Sequence, residues 1–243
     1  WADQRAVDEA NRIVECCGMD RVYRLTGHRV SPAYLAAKIL WVKHHQPEIY
    51  AHARKFLCAK DFCAFKLTGQ AVTDYSDAAG SNLFDLARRV WSADLVADMG
   101  LDLATLPEVH ASIDVIGHVT RQASQETGLA EGTPVVIGGG DGACAAVGAG
   151  VIAPGDAYCY IGSSSWISFA SHAPLFDPQM RTFTFHHLHP RLYAPMGTMQ
   201  AAGGARDWLI RALGDSATEA EAASVAPGAN GLIRIADVAR AAP

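Results

Sequence analysis

The chain has 243 residues, and half of them are hydrophobic, so it carries enough apolar material for a sizeable core. Acidic residues outnumber basic ones, 25 against 20, and no basic stripe is present, which argues against a nucleic-acid-binding protein. No apolar run reaches the length of a membrane span, because Asp141 and several glycines interrupt the longest one. We therefore expect a globular cytoplasmic protein of one large domain or two modest ones.

The first half of the chain predicts mainly helices. The second predicted helix has a strong start signal, since Ser31 is a good cap and Pro32 would stand at the first helical position. The segment Asp74–Gly80 is interpreted as a polar loop. Helices are predicted over 1–18, 31–45 and 47–67 (one or two helices), with another near Ser92.

The second half alternates strands and helices before a change of pattern near residue 153. Pro154-Gly155 marks a break there, and we place a domain boundary at this point. Beyond it, two apolar runs joined by Gly162–Ser165 predict a β-hairpin. Strands are predicted over 113–119, 135–140, 156–161, 166–170 and within 181–199, and helices over 141–151 and 201–213.

The segment Val135–Gly150 contains the most informative turn of the sequence. The β-branched run Val135–Ile137 predicts a buried strand, and three glycines then remove every side chain before Asp141. A carboxylate at the carboxyl end of a strand lies where open α/β sheets bind their ligands. Alternatively, Asp141 is only the N-cap of the helix that follows, a position that Asp favours.

A second small-residue turn, Gly162–Ser165, offers three hydroxyls and exposed backbone N–H groups. Such turns can bind phosphate oxygens, although Gly and Ser are also common in ordinary hairpin turns. Neither turn matches the Walker P-loop or the dinucleotide-binding fingerprint, and no Gly-x-Ser-x-Gly elbow of a serine hydrolase is present.

The histidines and cysteines give weaker signals. His187 and His189 would share one face of a strand, but no carboxylate or thiol completes a ligand set, so we expect no metal site in the protein. The six cysteines form no Cys-x-x-Cys pair and are interpreted as small buried hydrophobic residues.

Several short motifs follow one another in a recognisable order. They are Trp1-Ala2-Asp3-Gln4-Arg5, Lys38-Ile39-Leu40-Trp41, Lys60-Asp61-Phe62, Leu67-Thr68-Gly69, Asp74–Gly80, Val135–Gly150 and Tyr160–Ser165. In order and spacing they resemble the FGGY family of carbohydrate kinases, and within it the xylulose kinases. The resemblance extends over nearly the whole chain, to about Trp208.

The resemblance implies an α/β protein with the actin-like ATPase fold, built from two ribonuclease H-like domains that are both incomplete here. Residues 1–152 would belong to the sugar-binding domain that carries the catalytic base, and residues 153–243 would begin the nucleotide-binding domain. It further implies ATP-dependent phosphorylation of a ketopentose such as xylulose, with Mg²⁺. A small-molecule sugar and ATP are the expected partners, and a homodimer is compatible with the family.

The resemblance also assigns roles to individual residues. Asp141 holds the position of the catalytic base, and Trp1, Asp3, Gly142 and Trp166 hold positions that contact the sugar. Nucleotide phosphates would lie against Gly140, Gly162, Ser163, Ser164 and Ser165.

Departures from the family pattern concern the substrate and the completeness of the chain. Xylulose kinases have an Asn that contacts sugar at the position of Gly142. The Asp-Gly pair of this chain is closer to the pattern of gluconate kinases, so ribulose, glycerol and gluconate are alternative substrates. A non-catalytic sugar-binding module of the same fold is a further alternative. The opening phosphate loop and the adenosine-binding segment are absent, so we expect an internal fragment that is inactive by itself.

Overall fold

Helices dominate the first half of the chain and strands the second, in a computed structural model that describes residues 3–213. The helices are α1 (Val7–Cys17), α2 (Met19–Thr26), α3 (Leu35–His45), α4 (Pro47–His52), α5 (Ala59–Thr68), α6 (Tyr75–Ala79), α7 (Ala93–Asp98), α8 (Arg121–Thr127), α9 (Asp141–Gly148) and α10 (Gly203–Leu213). The strands are β1 (Val72–Asp74), β2 (Phe84–Asp85), β3 (Val90–Trp91), β4 (Glu108–His110), β5 (Val115–His118), β6 (Pro134–Val136), β7 (Ala157–Ile161), β8 (Ser165–Phe169), β9 (Phe183–His186) and β10 (Tyr193–Met199).

The strands pair in short ladders. Strands β1 and β4 are parallel, with Val72 opposite Glu108 and Asp74 opposite His110. Strands β5 and β6 are antiparallel, and so are β2 and β3. A four-stranded sheet has the order β7-β8-β10-β9, in which β9 and β10 are antiparallel.

The described residues fall into two compact units. The first comprises residues 3–158 and 167–197, and the second comprises residues 159–166 and 198–213. The domain boundary that we predicted near residue 153 remains a prediction.

The largest core cluster of the first unit joins α1, α2, α3 and α7. The sequence at α1 places one apolar face toward this cluster. Its buried residues recur at spacings of three and four, and they are Ala6, Ala10, Ile13 and Cys17. They pack with residues such as Val22, Ile39, Leu83 and Leu95. A smaller cluster of Ala64, Val72 and Ile137 packs α5 and β1 against the residue that precedes the glycine turn.

Most of the predicted elements are confirmed. Region 47–67 forms two helices, Ser92 caps α7 through a hydrogen bond from the Leu95 N–H, and the hairpin strands lie on either side of Gly162–Ser165. Helix α5 ends as expected after Thr68, because Gly69 adopts a φ of 77° and its N–H donates to the Phe65 carbonyl.

Several local predictions were wrong. The helix predicted over 1–18 begins only at Val7, and the strand predicted over 135–140 ends at Val136, before the glycine turn. Helix α3 begins at Leu35 rather than near Ser31, because the Ser31 carbonyl accepts the Tyr34 N–H and its hydroxyl accepts the Ala33 N–H, which closes a turn first. The predicted polar loop Asp74–Gly80 is instead helix α6, capped by the Asp74 carboxylate.

The predicted environment of several side chains also needs correction. Only Cys17 is buried and Cys58 is half-buried, whereas the other four cysteines are exposed. Strand β6 is only partly buried, since Val136 is 49% exposed. Strand β9 ends at His186, so His187 and His189 do not share a strand face; instead His187 accepts the His189 N–H at Nδ1.

Across residues 3–213, no helix combines the length and the apolar character that a membrane span requires.

Truncation of Phe84 tests the packing of this unit. Phe84 is fully buried and packs edge-on against Trp91 and His186, so Phe84→Ala should lower the free energy of unfolding by about 3–5 kcal/mol. The matched control is Phe62→Ala, since Phe62 is 54% exposed and its loss should cost less than about 1 kcal/mol. Urea denaturation of the full-length gene product measures both, and equal losses would contradict this description of the core.

Candidate active site

Asp141 begins helix α9 directly after the glycine turn. Its side chain is exposed, and its Oδ1 accepts a hydrogen bond of 2.7 Å from the Gly142 N–H. Gly140, not Asp141, is the N-cap residue, and the helix has no side-chain cap bond, so the alternative that Asp141 is the N-cap was wrong. A carboxylate at the first turn benefits from the helix dipole and keeps most of its acceptor sites open. This group can therefore accept a hydrogen bond or a proton from a ligand.

Each residue of the turn Gly138–Gly140 has a structural reason to be glycine, through its backbone conformation or through close packing. Gly138 has a φ of 69°, a conformation that favours glycine. A Cβ on Gly139 would clash with Leu188 Cδ2 and lie 2.9 Å from Ser76 Oγ. A Cβ on Gly140 would lie 2.9 Å from the Asp77 Oδ1. Gly139 and Gly140 thus let the backbone pass close to α6 immediately before Asp141.

The neighbours of this turn form a buried group of charges. Lys60 Nζ lies 2.7 Å from Asp61 Oδ1, 3.2 Å from Asp74 Oδ1 and 3.4 Å from Asp77 Oδ2. Asp61 and Asp74 are buried, and Asp77 is 22% exposed. The Lys60 ammonium group therefore forms ion pairs with three carboxyl groups. The sequence signal was present in the motifs Lys60-Asp61-Phe62 and Asp74–Gly80, but their convergence was not predicted.

The acid–base properties of this group follow from burial and mutual charge. Burial raises the pKa of Asp77 to about 6, although the attraction of Lys60 acts in the opposite direction. Burial alone would lower the pKa of Lys60, but Asp74, together with Asp61 and Asp77, outweighs it and holds that pKa above its usual range. Burial also raises the pKa of the Cys58 thiol to about 12, which keeps the thiol protonated and unreactive.

Cys58, Asp61 and Asp77 bring three ligand atoms within 4.8 Å of one another. The Lys60 ammonium already lies beside both carboxylates and supplies the positive charge there. The arrangement is thus explained by an internal ion pair.

The residues expected to contact the sugar are spread over several elements. Trp1 lies outside the described residues. Asp3 precedes α1, and the Arg5 N–H and guanidinium donate to it, which lowers the pKa of its carboxyl group. Gly142 lies inside the first turn of α9, where its carbonyl accepts the Tyr158 hydroxyl at 3.1 Å. Of the residues predicted in the first unit, the structure therefore joins Gly140, Asp141 and Gly142 in one turn.

The second unit contains the small-residue hairpin and Trp166. The Gly162 N–H donates to the Ser164 carbonyl at 2.8 Å, which closes the turn. Trp166 stacks on Tyr160 with ring centroids 4.0 Å apart. Within residues 3–213, the hydroxyls of Ser163, Ser164 and Ser165 make no side-chain hydrogen bond.

The same hairpin is fixed to the start of α10. The Gly162 carbonyl accepts the Gly203 N–H, and the Ser163 carbonyl accepts those of Ala202 and Gly204. A Cβ on Gly203 would lie 2.5 Å from the Gly162 oxygen, so this approach requires glycine. The carbonyl groups of Gly162, Ser163 and Ser164 thus bond other backbone groups, while the three serine hydroxyls bond no side chain or backbone group of residues 3–213.

Comparison with known proteins identifies the class of protein to which this fold and this turn belong. Residues 1–148 match the N-terminal domain of the FGGY family of carbohydrate kinases, so the chain belongs to that family. The chain is similar to the xylulose kinase of Bacillus subtilis (strain 168), with 33% identity over 237 residues that cover 96% of this chain and 47% of the relative. The chain thus spans about half the length of the curated relatives that it matches.

Solved structures of sugar kinases are also similar to this chain. The xylulose kinase from Rhodospirillum rubrum has a TM-score of 0.84 and 33% identity, covering 95% of this chain and 48% of that protein. The gluconate kinase from Lactobacillus acidophilus has a TM-score of 0.81 and 25% identity, covering 89% and 44%. The predicted fold class, an α/β protein with the actin-like ATPase fold, is confirmed.

The raised pKa of Asp77 predicts a pH-dependent effect on stability. A carboxyl group whose folded pKa lies above its ordinary 3.8 stabilises the fold at low pH, and this contribution is lost as pH rises through about 6. The change in the free energy of unfolding that Asp77→Asn causes should therefore be more favourable at pH 8 than at pH 4. We expect a difference of about 1–2 kcal/mol after allowance for the partial exposure of Asp77.

Urea denaturation of the full-length gene product at the two pH values measures this difference. Asp8→Asn, which removes an exposed carboxyl group from α1, is the control. If Asp77→Asn changed the free energy of unfolding equally at both pH values, burial would not raise the pKa of Asp77, and the prediction would be wrong.

Proposed function

We propose that the full-length protein carrying this chain transfers the γ-phosphate of ATP to a hydroxyl group of a ketopentose such as xylulose, with Asp141 as general base. The observation that carries the proposal is the exposed Asp141 carboxylate, which the bare glycine turn presents at the start of α9. Membership of the FGGY family and similarity to xylulose kinases support the reaction class and this substrate.

The chemistry that Asp141 would perform is proton abstraction. An alcohol is a poor nucleophile at neutral pH, and a carboxylate within hydrogen-bond reach can take its proton as the phosphoryl group is transferred. Asp141 suits this role because the only hydrogen bond that its carboxylate makes to residues 3–213 comes from the neighbouring Gly142 N–H. The other acceptor sites can orient the sugar hydroxyl.

Positioning of the two substrates would account for most of the rate. The hydroxyls of Ser163, Ser164 and Ser165 suit the phosphate oxygens of ATP, since they are free of other side-chain bonds within the described part of the chain. Mg²⁺ bound to ATP would neutralise phosphate charge. Gly140 would act through close approach of its backbone, since its N–H already donates to Ser76 Oγ.

Sugar contacts would come from Asp3, Gly142 and Trp166, with Trp1 as a further wall. In this proposal residues 1–152 belong to the sugar-binding domain and residues 153–243 to the nucleotide-binding domain. The protein would act in the cytoplasm on free sugar and ATP. A homodimer is compatible with the proposal.

Substitution of Asp141 tests the catalytic role. Asp141→Asn keeps the size of the side chain but removes the base, so kcat should fall about 10²–10⁴-fold while the affinity for sugar changes little. A coupled assay of ADP release from the full-length gene product measures kcat, and calorimetry measures sugar binding.

Glu131→Gln is the control, since Glu131 is an exposed carboxylate on the loop between α8 and β6. Turnover of Asp141→Asn close to that of the unmodified protein would overturn the role of Asp141.

A substrate panel tests the identity of the sugar. Xylulose, ribulose, glycerol and gluconate are offered with ATP, and we expect the highest kcat/KM with xylulose. Preference for gluconate would replace the proposed substrate and direct attention to Gly142, whose added Cβ would lie 3.5 Å from Met196 Cε. If the protein bound sugar but released no ADP, and if Mg-ATP did not change its affinity for sugar, it would instead be a non-catalytic sugar-binding module.

A further inference from the structure

Two serines that bond the buried carboxylate of Asp74 also hold the glycine turn that precedes Asp141. The Asp74 Oδ2 accepts hydrogen bonds of 2.6 Å from the hydroxyls of Ser76 and Ser112. The Ser76 N–H donates to the same oxygen at 2.9 Å. All three residues are buried, with exposed fractions of 0–4%. None of them is therefore placed to contact a substrate directly.

Each serine also binds the backbone of the turn. The Gly140 N–H donates to Ser76 Oγ at 2.8 Å, and the Gly138 N–H donates to the Ser112 carbonyl at 3.0 Å. The turn is thus held at both ends. Gly140 is the N-cap of α9 and is covalently joined to Asp141, so the bond to Ser76 fixes the backbone immediately before that carboxylate.

The direction of these hydrogen bonds makes Ser76 hard to replace. A hydroxyl has one proton to donate, and the Ser76 proton goes to Asp74, so its oxygen is free to accept the Gly140 N–H. Hydrogen bonds to a charged acceptor are stronger than neutral ones, and Lys60 stabilises the same carboxylate from 3.2 Å. Removal of the hydroxyl would leave the Gly140 N–H without this acceptor and Asp74 with one donor fewer.

We propose that Ser76 is a positioning residue that sets the place of Asp141 through the Gly140 N–H. This inference rests on the proposed function of Asp141 as general base. A displacement of about 1 Å at a reacting group can cost about 10²-fold in rate. Loss of the Ser76 hydroxyl should therefore lower kcat about 10- to 100-fold and leave the KM for sugar nearly unchanged.

The test compares Ser76→Ala with Ser81→Ala in the full-length gene product. Ser81 is a matched control, because it is also buried and its hydroxyl also donates one hydrogen bond and accepts another, here with the backbone groups of Ala78 and Leu83, away from the turn. Both variants lose a buried hydroxyl, but only Ser76→Ala should lose kcat, measured per folded molecule well below the unfolding temperature. Equal loss of kcat in both variants would reduce Ser76 to a structural role and overturn the proposal.

A double-mutant cycle separates positioning from other effects. If Ser76 acts through Asp141, adding Ser76→Ala to Asp141→Asn should lower kcat by less than twofold further. A full additional 10- to 100-fold loss would overturn the proposal. Restoration of kcat by Ser76→Thr, which keeps the hydroxyl, would support it.

A measurement without catalysis keeps this proposal distinct from the proposed function. Hydrogen exchange of the peptide that contains residues 134–148 reports whether the Gly140 amide has lost its acceptor, and it should accelerate at least tenfold in Ser76→Ala but not in Ser81→Ala. Unchanged exchange would overturn the hydrogen-bonded link itself. Faster exchange together with an Asp141→Asn variant of normal turnover would confirm the link and contradict the assignment of Asp141 as base.

Discussion

The buried carboxylate of Asp74 is the constraint on which the surroundings of the site depend. An ionised group without solvent costs several kcal/mol unless it is paired and hydrogen-bonded. Asp74 is completely buried, and its partners come from α5, α6 and the segment before β5, through Lys60, Ser76 and Ser112. These elements must therefore keep one arrangement around the end of β1, because any other arrangement would leave the charge unsatisfied.

This constraint explains why the turn before Asp141 consists of glycines. The Leu188 side chain and the Ser76 hydroxyl occupy the space that a Cβ on Gly139 would need, and the Asp77 carboxyl group occupies the space that a Cβ on Gly140 would need. At the same time the Gly140 N–H must reach Ser76 Oγ at 2.8 Å. The absence of side chains thus serves close packing behind the turn as well as open space in front of it, where a ligand would approach Asp141.

The sequence allowed the Asp141 turn and the ends of several helices to be predicted because they depend on local signals, whereas helices α2 and α8 and strands β1 to β4 were not predicted. Glycine after Thr68, Ser92 before α7 and the β-branched run before Gly138 act through neighbouring residues only. The role of Asp74 was missed because its cap on α6 competes with the ordinary loop signal of Asp, Ser and Gly residues. Its bonds to Lys60 and to Ser112, which is 38 positions away, depend on tertiary contacts that no local pattern contains.

The exposure of the cysteines was mispredicted for a related reason. Apolar neighbours in sequence do not decide which face of a helix is buried. Cys16 and Cys17 are adjacent on α1, yet only Cys17 lies on the face that continues Ala6, Ala10 and Ile13. Two neighbouring cysteines therefore differ in exposure, a difference that composition alone does not predict.

The two aspartates at the site show the same dependence on environment and could not exchange roles. Asp74 is buried and accepts hydrogen bonds from the Ser76 N–H, the Asp77 N–H and two hydroxyls. Asp141 is exposed, and within residues 3–213 its carboxylate accepts one hydrogen bond, from the Gly142 N–H next to it. The general base that we propose at Asp141 needs the second environment, whereas a group that holds the backbone of the turn in place needs the first. The glycine turn joins the two, because it is the part of the backbone that reaches Ser76 on one side and carries Asp141 on the other.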